Sequence, residues 1–211
     1  MSEYKLKRGE NNIKMKIKNK ITDLSNMFYD CKKLKDINEL KYLNTKYCND
    51  FSEMFYYCLL LSDIQSLEKW NVSNSNNFSG MFRGCLLLSD IKPLEKWNVS
   101  NSTNFRDMFS GCLSLSNIKP LEKWNVSNST NFSYMFSGCP SLSDIKPLAK
   151  WNVTNCSNFS AMFYYSSILD IKPLKNWNVS NQYYFKDMLN PEKYFEDMSK
   201  SKKKKKKKRK I

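Results

Sequence analysis

Five of the seven cysteines, Cys31, Cys58, Cys85, Cys112 and Cys139, stand 27 residues apart, and Cys48 and Cys156 share a second position of the same period. Thiols become zinc ligands or nucleophiles when they converge or are activated. Equal spacing opposes convergence. If each period is one coil of a stack, the five thiols form a line with neighbours about 4.8 Å apart, and a line cannot close tetrahedrally on zinc. The favoured reading is a small buried core thiol, with disulfides between adjacent coils as the alternative. An odd total, with no secretory signal at the start, supports reduced thiols. The chain has no histidine, which removes the commonest general base and the usual partner of a catalytic Ser or Cys. Phosphate-binding glycine loops, dinucleotide fingerprints and paired-carboxylate motifs are absent from the sequence. No enzymatic role, metal, cofactor or small-molecule substrate is expected.

Two further patterns could carry function. Asn71-Val72-Ser73 and its copies at Asn98, Asn125, Asn152 and Asn178 match the N-glycosylation sequon. A ladder of stacked amides beside a Trp explains them without modification, and that structural reading is preferred. The second pattern is a charge grid. Asp63, Asp90, Asp144 and Asp170, with Asn117 substituting, form one column; Lys92, Lys119, Lys146 and Lys172, with Gln65 first, form another two residues on. Both columns fall on the face opposite a buried Ile, which makes them candidates for binding a protein partner. Self-neutralising solubility explains the same grid, because adjacent opposite columns relieve the repulsion within each.

These residues need a scaffold that repeats. The fifteen residues Ile91 to Phe105 recur unchanged at Ile118 to Phe132. Trp70, Trp97, Trp124 and Trp151 share one column, with Trp177 following after a deletion; Met27-Phe28 recurs through Met162-Phe163 and fades to Met188-Leu189. Ile, Leu and Val columns recur between them. A 27-residue unit cannot bury such a set alone, whereas stacked copies bury it against one another. Leu88 to Lys92 has strand length, and Pro93 lacks the N–H a continuing ladder needs. "WNVSNSTNF" reads as turn, and "NFRDMFSGC" spaces Phe105, Met108, Phe109 and Cys112 as a helical or tight turn. The expectation is an α/β repeat solenoid, with one short parallel strand and one helical turn per coil.

The segment "MFSGCLSLSNIKPLEKWNVSNSTNFSYMF" resembles the BspA-type leucine-rich repeat, a unit of roughly 26 residues, over about Ile21 to Gln182. The Met-Phe-x-x-Cys and Trp-Asn pairs carry the likeness. The resemblance implies a curved leucine-rich-repeat-like solenoid used mainly for adhesion or protein binding.

The solenoid is expected over 21–182. A capping hairpin is expected over 1–20, where Ile13, Met15 and Ile17 alternate with lysines, and a capping helix over 183–199, opened by Asn190 and Pro191. Residues 200–211 read as a disordered polybasic tail. Lys200 with Lys202, Lys203, Lys204, Lys205, Lys206, Lys207, Lys208, Arg209 and Lys210 carries ten of the formal +15 charges. The tail fits nuclear targeting, non-specific nucleic-acid contact or an anionic membrane. No apolar run reaches the roughly 18 residues of a membrane span, and "MSEYKLKRGENN" lacks a signal's apolar core. The expectation is therefore an intracellular protein of nucleus or cytoplasm, a non-enzymatic scaffold binding a protein through its solenoid. Alternatives are a nucleic-acid-binding protein acting through the tail, and a cell-surface adhesin like secreted members of the resembled family.

Overall fold

The computed structural model describes residues 20–168, 170–178 and 188–189. The expected caps at 1–20 and 183–199 fall outside these residues except for Lys20, Met188 and Leu189, and the tail at 200–211 falls wholly outside them. The chain winds into stacked coils beginning at Asp23, Asp50, Asn77, Asn104, Asn131 and Asn158, each first residue bridging in parallel to the next.

From each of those residues the backbone makes a run of tight turns. In coil four, Met108, Ser110 and Cys112 N–H groups donate to the Phe105, Asp107 and Phe109 carbonyls within the coil. The intervening Phe105, Asp107, Phe109 and Gly111 N–H groups donate to the Asn131, Ser133, Met135 and Ser137 carbonyls of coil five, at 2.9, 2.9, 3.0 and 2.7 Å. In-coil and between-coil bonds thus divide the backbone groups, satisfying the requirement that buried N–H and C=O find partners. Asp107 and Gly111 take φ of 57° and 73°. Each is third in its turn, the place a type II turn gives to glycine.

The apolar columns fill the interior. Phe51, Phe78, Phe105, Phe132 and Phe159 stack in sequence with ring centroids 5.5 to 5.9 Å apart. A second stack runs from Phe28 through Phe55, Phe82, Phe109 and Phe136 to Phe163. Trp97 and Trp124 lie against Phe78 and Phe105, and their indole N–H groups donate to the Leu67 and Leu94 carbonyls of the preceding coils, both at 3.0 Å. Trp97, Trp124, Ile91, Ile118, Phe109 and Cys112 are all buried. Buried aromatics with partnered polar groups supply much of such a core.

The repeat solenoid is as the period predicts, but its local elements are differently placed. Leu88 to Lys92 is not a strand. The helices among the described residues are short 3-10 helices at Asn38–Tyr42, Gln65–Leu67, Lys92–Leu94, Lys119–Leu121, Lys146–Lys150 and Lys172–Leu174. Pro93 marks the first turn of a helix, where its missing N–H costs nothing, and not the end of a strand. The parallel pairing lies instead at Asn104 and its equivalents, inside the segment expected to be only turn. In coil six the missing residue falls between Tyr165 and Ser167, because the Ser167 hydroxyl bonds to Pro140 as Ser141 bonds to Leu113 one coil earlier. Phe163 N–H still reaches the Met188 carbonyl at 2.8 Å, carrying the ladder into a seventh coil.

Coils one and two depart from the proline rule, with Glu39 and Ser66, and coil two does so at a cost. Ser66 stands where later coils have Pro93, Pro120, Pro147 and Pro173, and its buried hydroxyl has no hydrogen-bond partner. Ser66→Pro should stabilise the chain by about 0.5–1 kcal/mol through the unfolded state. Chemical denaturation would register this as a higher midpoint at unchanged slope, and a lower midpoint would show that coil two bends differently from its neighbours.

Candidate partner-binding face

The sequence-predicted grid lies around the 3-10 helices. Asp63, Asp90, Asp144 and Asp170 each accept, through Oδ1, the N–H of Gln65, Lys92, Lys146 and Lys172 at 2.8 to 2.9 Å. Asn117 does the same for Lys119 at 2.9 Å, which is why an amide can replace the acid there. Each of these side chains therefore closes an Asx turn just ahead of a helix, whose N-cap residue is the isoleucine that follows it. Lys92, Lys119, Lys146 and Lys172 are exposed, and Lys172 pairs with Asp170 at 3.5 Å. The grid is brought to one side of the stack with Ile91 and its equivalents turned inward, though no strand produces that alternation. The tail residues Lys202 to Arg209 and Lys210 lie outside the described residues.

The cysteine column is a line of donors. Cys58, Cys85, Cys112 and Cys139 thiols lie 3.1 to 3.3 Å from the Phe28, Phe55, Phe82 and Phe109 carbonyls of the preceding coils. Burial pushes the Cys58 and Cys139 thiols up to about 12 and those of Cys85 and Cys112 well above 9. All seven cysteines are free thiols, and Cys31, at the exposed end of the column, alone reaches solvent. Among the described residues no cluster of His, Cys, Asp or Glu could hold a metal ion, and no helix is long and apolar enough to cross a membrane.

The sequon asparagines are exposed, and Asn71, Asn98, Asn125 and Asn152 each bond within their own turn. Asn71 Oδ1 accepts from the Ser73 N–H and hydroxyl at 3.1 and 2.7 Å, and Asn152 does the same for Thr154. The amides that stitch coils together belong to the third residue on: Asn74, Asn101, Asn128 and Asn155 Nδ2 groups donate to carbonyls of the preceding coil. Asparagine amides thus do link the coils, but three residues beyond the sequon and through backbone carbonyls, not as the expected stack of sequon amides.

A different set of residues emerges on the turn ladder. Self-comparison emphasises what recurs; the informative columns here are those that differ. At the position of Asp107 the six coils carry Asn26, Glu53, Gly80, Asp107, Tyr134 and Ala161, and at that of Gly111 they carry Asp30, Tyr57, Gly84, Gly111, Gly138 and Tyr165. All twelve have positive φ. Side chains along this face form a chain of contacts. Tyr29 stacks on Tyr56 at 4.6 Å, and Arg83 lies over Tyr56. Arg83 Nη1 donates to Asp107 Oδ1 at 2.9 Å, Arg106 Nε to its Oδ2 at 3.0 Å, and Arg106 lies over Tyr134. Asp107 is buried and held from two coils. The signal for this face was available as variation within an otherwise constant repeat.

These features define a stacked-coil repeat protein. The family model described as "Mycoplasma protein of unknown function, DUF285" matches residues 4–118 and again 88–202. The chain belongs to that family, and the overlap of the two matches is what an array longer than the model produces. The curated proteins include no match to it. Among solved structures, internalin C2 from Listeria monocytogenes is similar at 16% identity and a TM-score of 0.23, over 63% of this chain and 75% of that one. So low a score leaves the fold to be argued from the chain's own coils.

The thiols give a direct test of the stack. Iodoacetamide should modify Cys31 in the native protein and all seven cysteines after denaturation. Raised thiol pKa values also set a pH window: stability is full below about pH 9 and falls as pH rises toward 12, because unfolded thiols ionise while Cys58 and Cys139 stay protonated. Labelling of the column at the rate of Cys31 would contradict this packing.

Proposed function

We propose that the protein is a non-enzymatic scaffold that binds a protein partner through the turn-ladder face. One observation carries the reading. Eight non-glycine residues, Tyr57, Tyr134 and Tyr165 among them, occupy left-handed positions where other coils of the same chain carry glycine. A left-handed backbone costs an ordinary residue roughly 1–2 kcal/mol, and strain of this kind collects where a side chain is kept for use. The side chains so displayed include tyrosines, with Arg83 and Arg106 beside them, and Tyr and Arg dominate protein-binding hot spots. The likeness of the repeat to the BspA type, used mainly for adhesion or protein binding, supports the same reading. The Asp90 and Lys92 columns are the competing surface.

Tyr57→Gly, Tyr134→Gly and Tyr165→Gly each install a residue that another coil already has at that position. Relief of strain is offset by roughly 0.5–1 kcal/mol of added unfolded-chain entropy, so the triple variant should melt at or above the wild-type temperature. Affinity capture from the native cell should lose its protein partners with this variant and keep them when Asp90, Lys92, Asn117 and Lys119 are changed together. The reverse pattern would move the binding site to the 3-10 helices.

For the tail we propose delivery to the nucleus or to an anionic surface, supported by its charge density. Truncation after Ser199 should leave melting unchanged and abolish nuclear or anionic-surface accumulation, read by imaging a fluorescent fusion. Any residual nucleic-acid affinity that resists salt after truncation would favour the nucleic-acid reading.

A further inference from the structure

At the corner between the turn ladder and the 3-10 helices, each of coils one to five places two adjacent residues outside the core. Coils two to four fill these places with leucine: Leu59 and Leu60, Leu86 and Leu87, then Leu113. Leu87 and Leu113 are 47% and 46% exposed, and the other three are half-buried. No charged residue interrupts the ridge, and Pro140 extends it in coil five. Contiguous apolar surface of this kind marks an interaction site, unlike apolar residues scattered singly.

The chain itself provides a polar alternative at the second place. Ser114, Ser141 and Ser167 occupy it in coils four, five and six, where their hydroxyls donate to the Leu86, Leu113 and Pro140 carbonyls of the preceding coils at 2.9, 2.7 and 2.6 Å. Leu60 and Leu87 stand where a serine would make that stitch. Two coils therefore forgo a bond that holds the stack together and present apolar surface instead.

We propose that a second copy of this chain docks on the Leu59–Leu113 ridge, forming an antiparallel two-fold dimer. The partner's identity follows from period and charge. A row of leucines repeating at the coil spacing is matched rung for rung by a row of the same spacing, which another copy supplies. Leu86 and Leu87 lie at the middle of the row, so a two-fold axis through coil three sets them against their own counterparts and sets Leu59 and Leu60 against Leu113. This is the self-complementarity a two-fold interface requires. Charge selects the direction. Coil one carries Lys32 and Lys33 at the two ridge positions. Parallel copies would bring these lysines together, whereas antiparallel copies set them against uncharged Pro140 and Ser141.

The test is sedimentation equilibrium of the full-length chain, treated with nuclease and held at a salt concentration that screens the tail. The wild type should sediment with the mass of two chains, and the dimer should persist or tighten as salt rises, since it is apolar. The Leu60→Ser/Leu87→Ser double variant restores the serine stitch; it should sediment as one chain with an undiminished melting temperature. Leu59→Lys, which copies Lys32 of coil one, should also give a single chain and guards against misfolding of the double variant. A wild type that stays monomeric at every concentration would overturn the proposal. So would a dimer that survives in both variants, or one that dissolves as salt rises.

Discussion

Everything in this molecule rests on a division of labour among backbone hydrogen bonds. Along each turn run, alternate N–H groups are spent inside the coil and the others on the coil that follows. Neither half suffices alone. In-coil bonds shape turns that hold nothing together, and between-coil bonds would have no fixed geometry without those turns. The Phe and Trp columns can stack only because the division places every coil in the same register as its neighbour. The side-chain donors then add stitches running the other way: Trp124 to Leu94, Cys112 to Phe82 and Ser129 to Ser102 all reach back one coil. Each coil is thus bound to the next mainly by its turn-run backbone and to the one before by these buried side-chain donors.

That arrangement explains which positions are free to vary. Residues facing the interior must match the column above and below, and Phe105 or Ile118 has no latitude. The left-handed positions at Asp107 and Gly111 face a different constraint, conformational and not volumetric. Glycine meets it without strain, yet Tyr57, Tyr134 and Tyr165 are retained there. Natural proteins break local rules chiefly where something other than folding is being served. The proposed binding face is read from that breach.

The period, the buried columns and the lined-up thiols were legible in the sequence, because apolar positions that recur at one interval have no other economical explanation. The internal placement of strand and helix was not. Pro93 reads equally as the end of a strand and the first turn of a helix, and the deciding contact, the Asp90 carboxylate on the Lys92 N–H, is invisible without coordinates. The turn ladder was hidden for a deeper reason: its acceptors lie in another coil, and non-glycine residues such as Tyr134 give no sign in sequence of a positive φ. The Tyr and Arg side chains of this face carry no mark of recurrence such as Trp124 and Ile118 have, since Arg83 and Tyr134 each differ from their equivalents.

The direction of the ladder makes the two ends of the stack electrically unlike. At each junction from coil one to coil six, four turn-run N–H groups point the same way along the axis, and they outnumber the backbone bonds that run back, such as those of Thr130 to Thr103 and Ser114 to Leu86. A β-sheet largely cancels its peptide dipoles; here those of the turn run add, as they do along an α-helix. Within the run the carbonyls point toward coil one and the N–H groups toward coil six. A rod of this kind carries an axial moment that grows with every coil added. Two such rods lying side by side with opposed axes attract through that moment alone, and two lying with axes aligned repel.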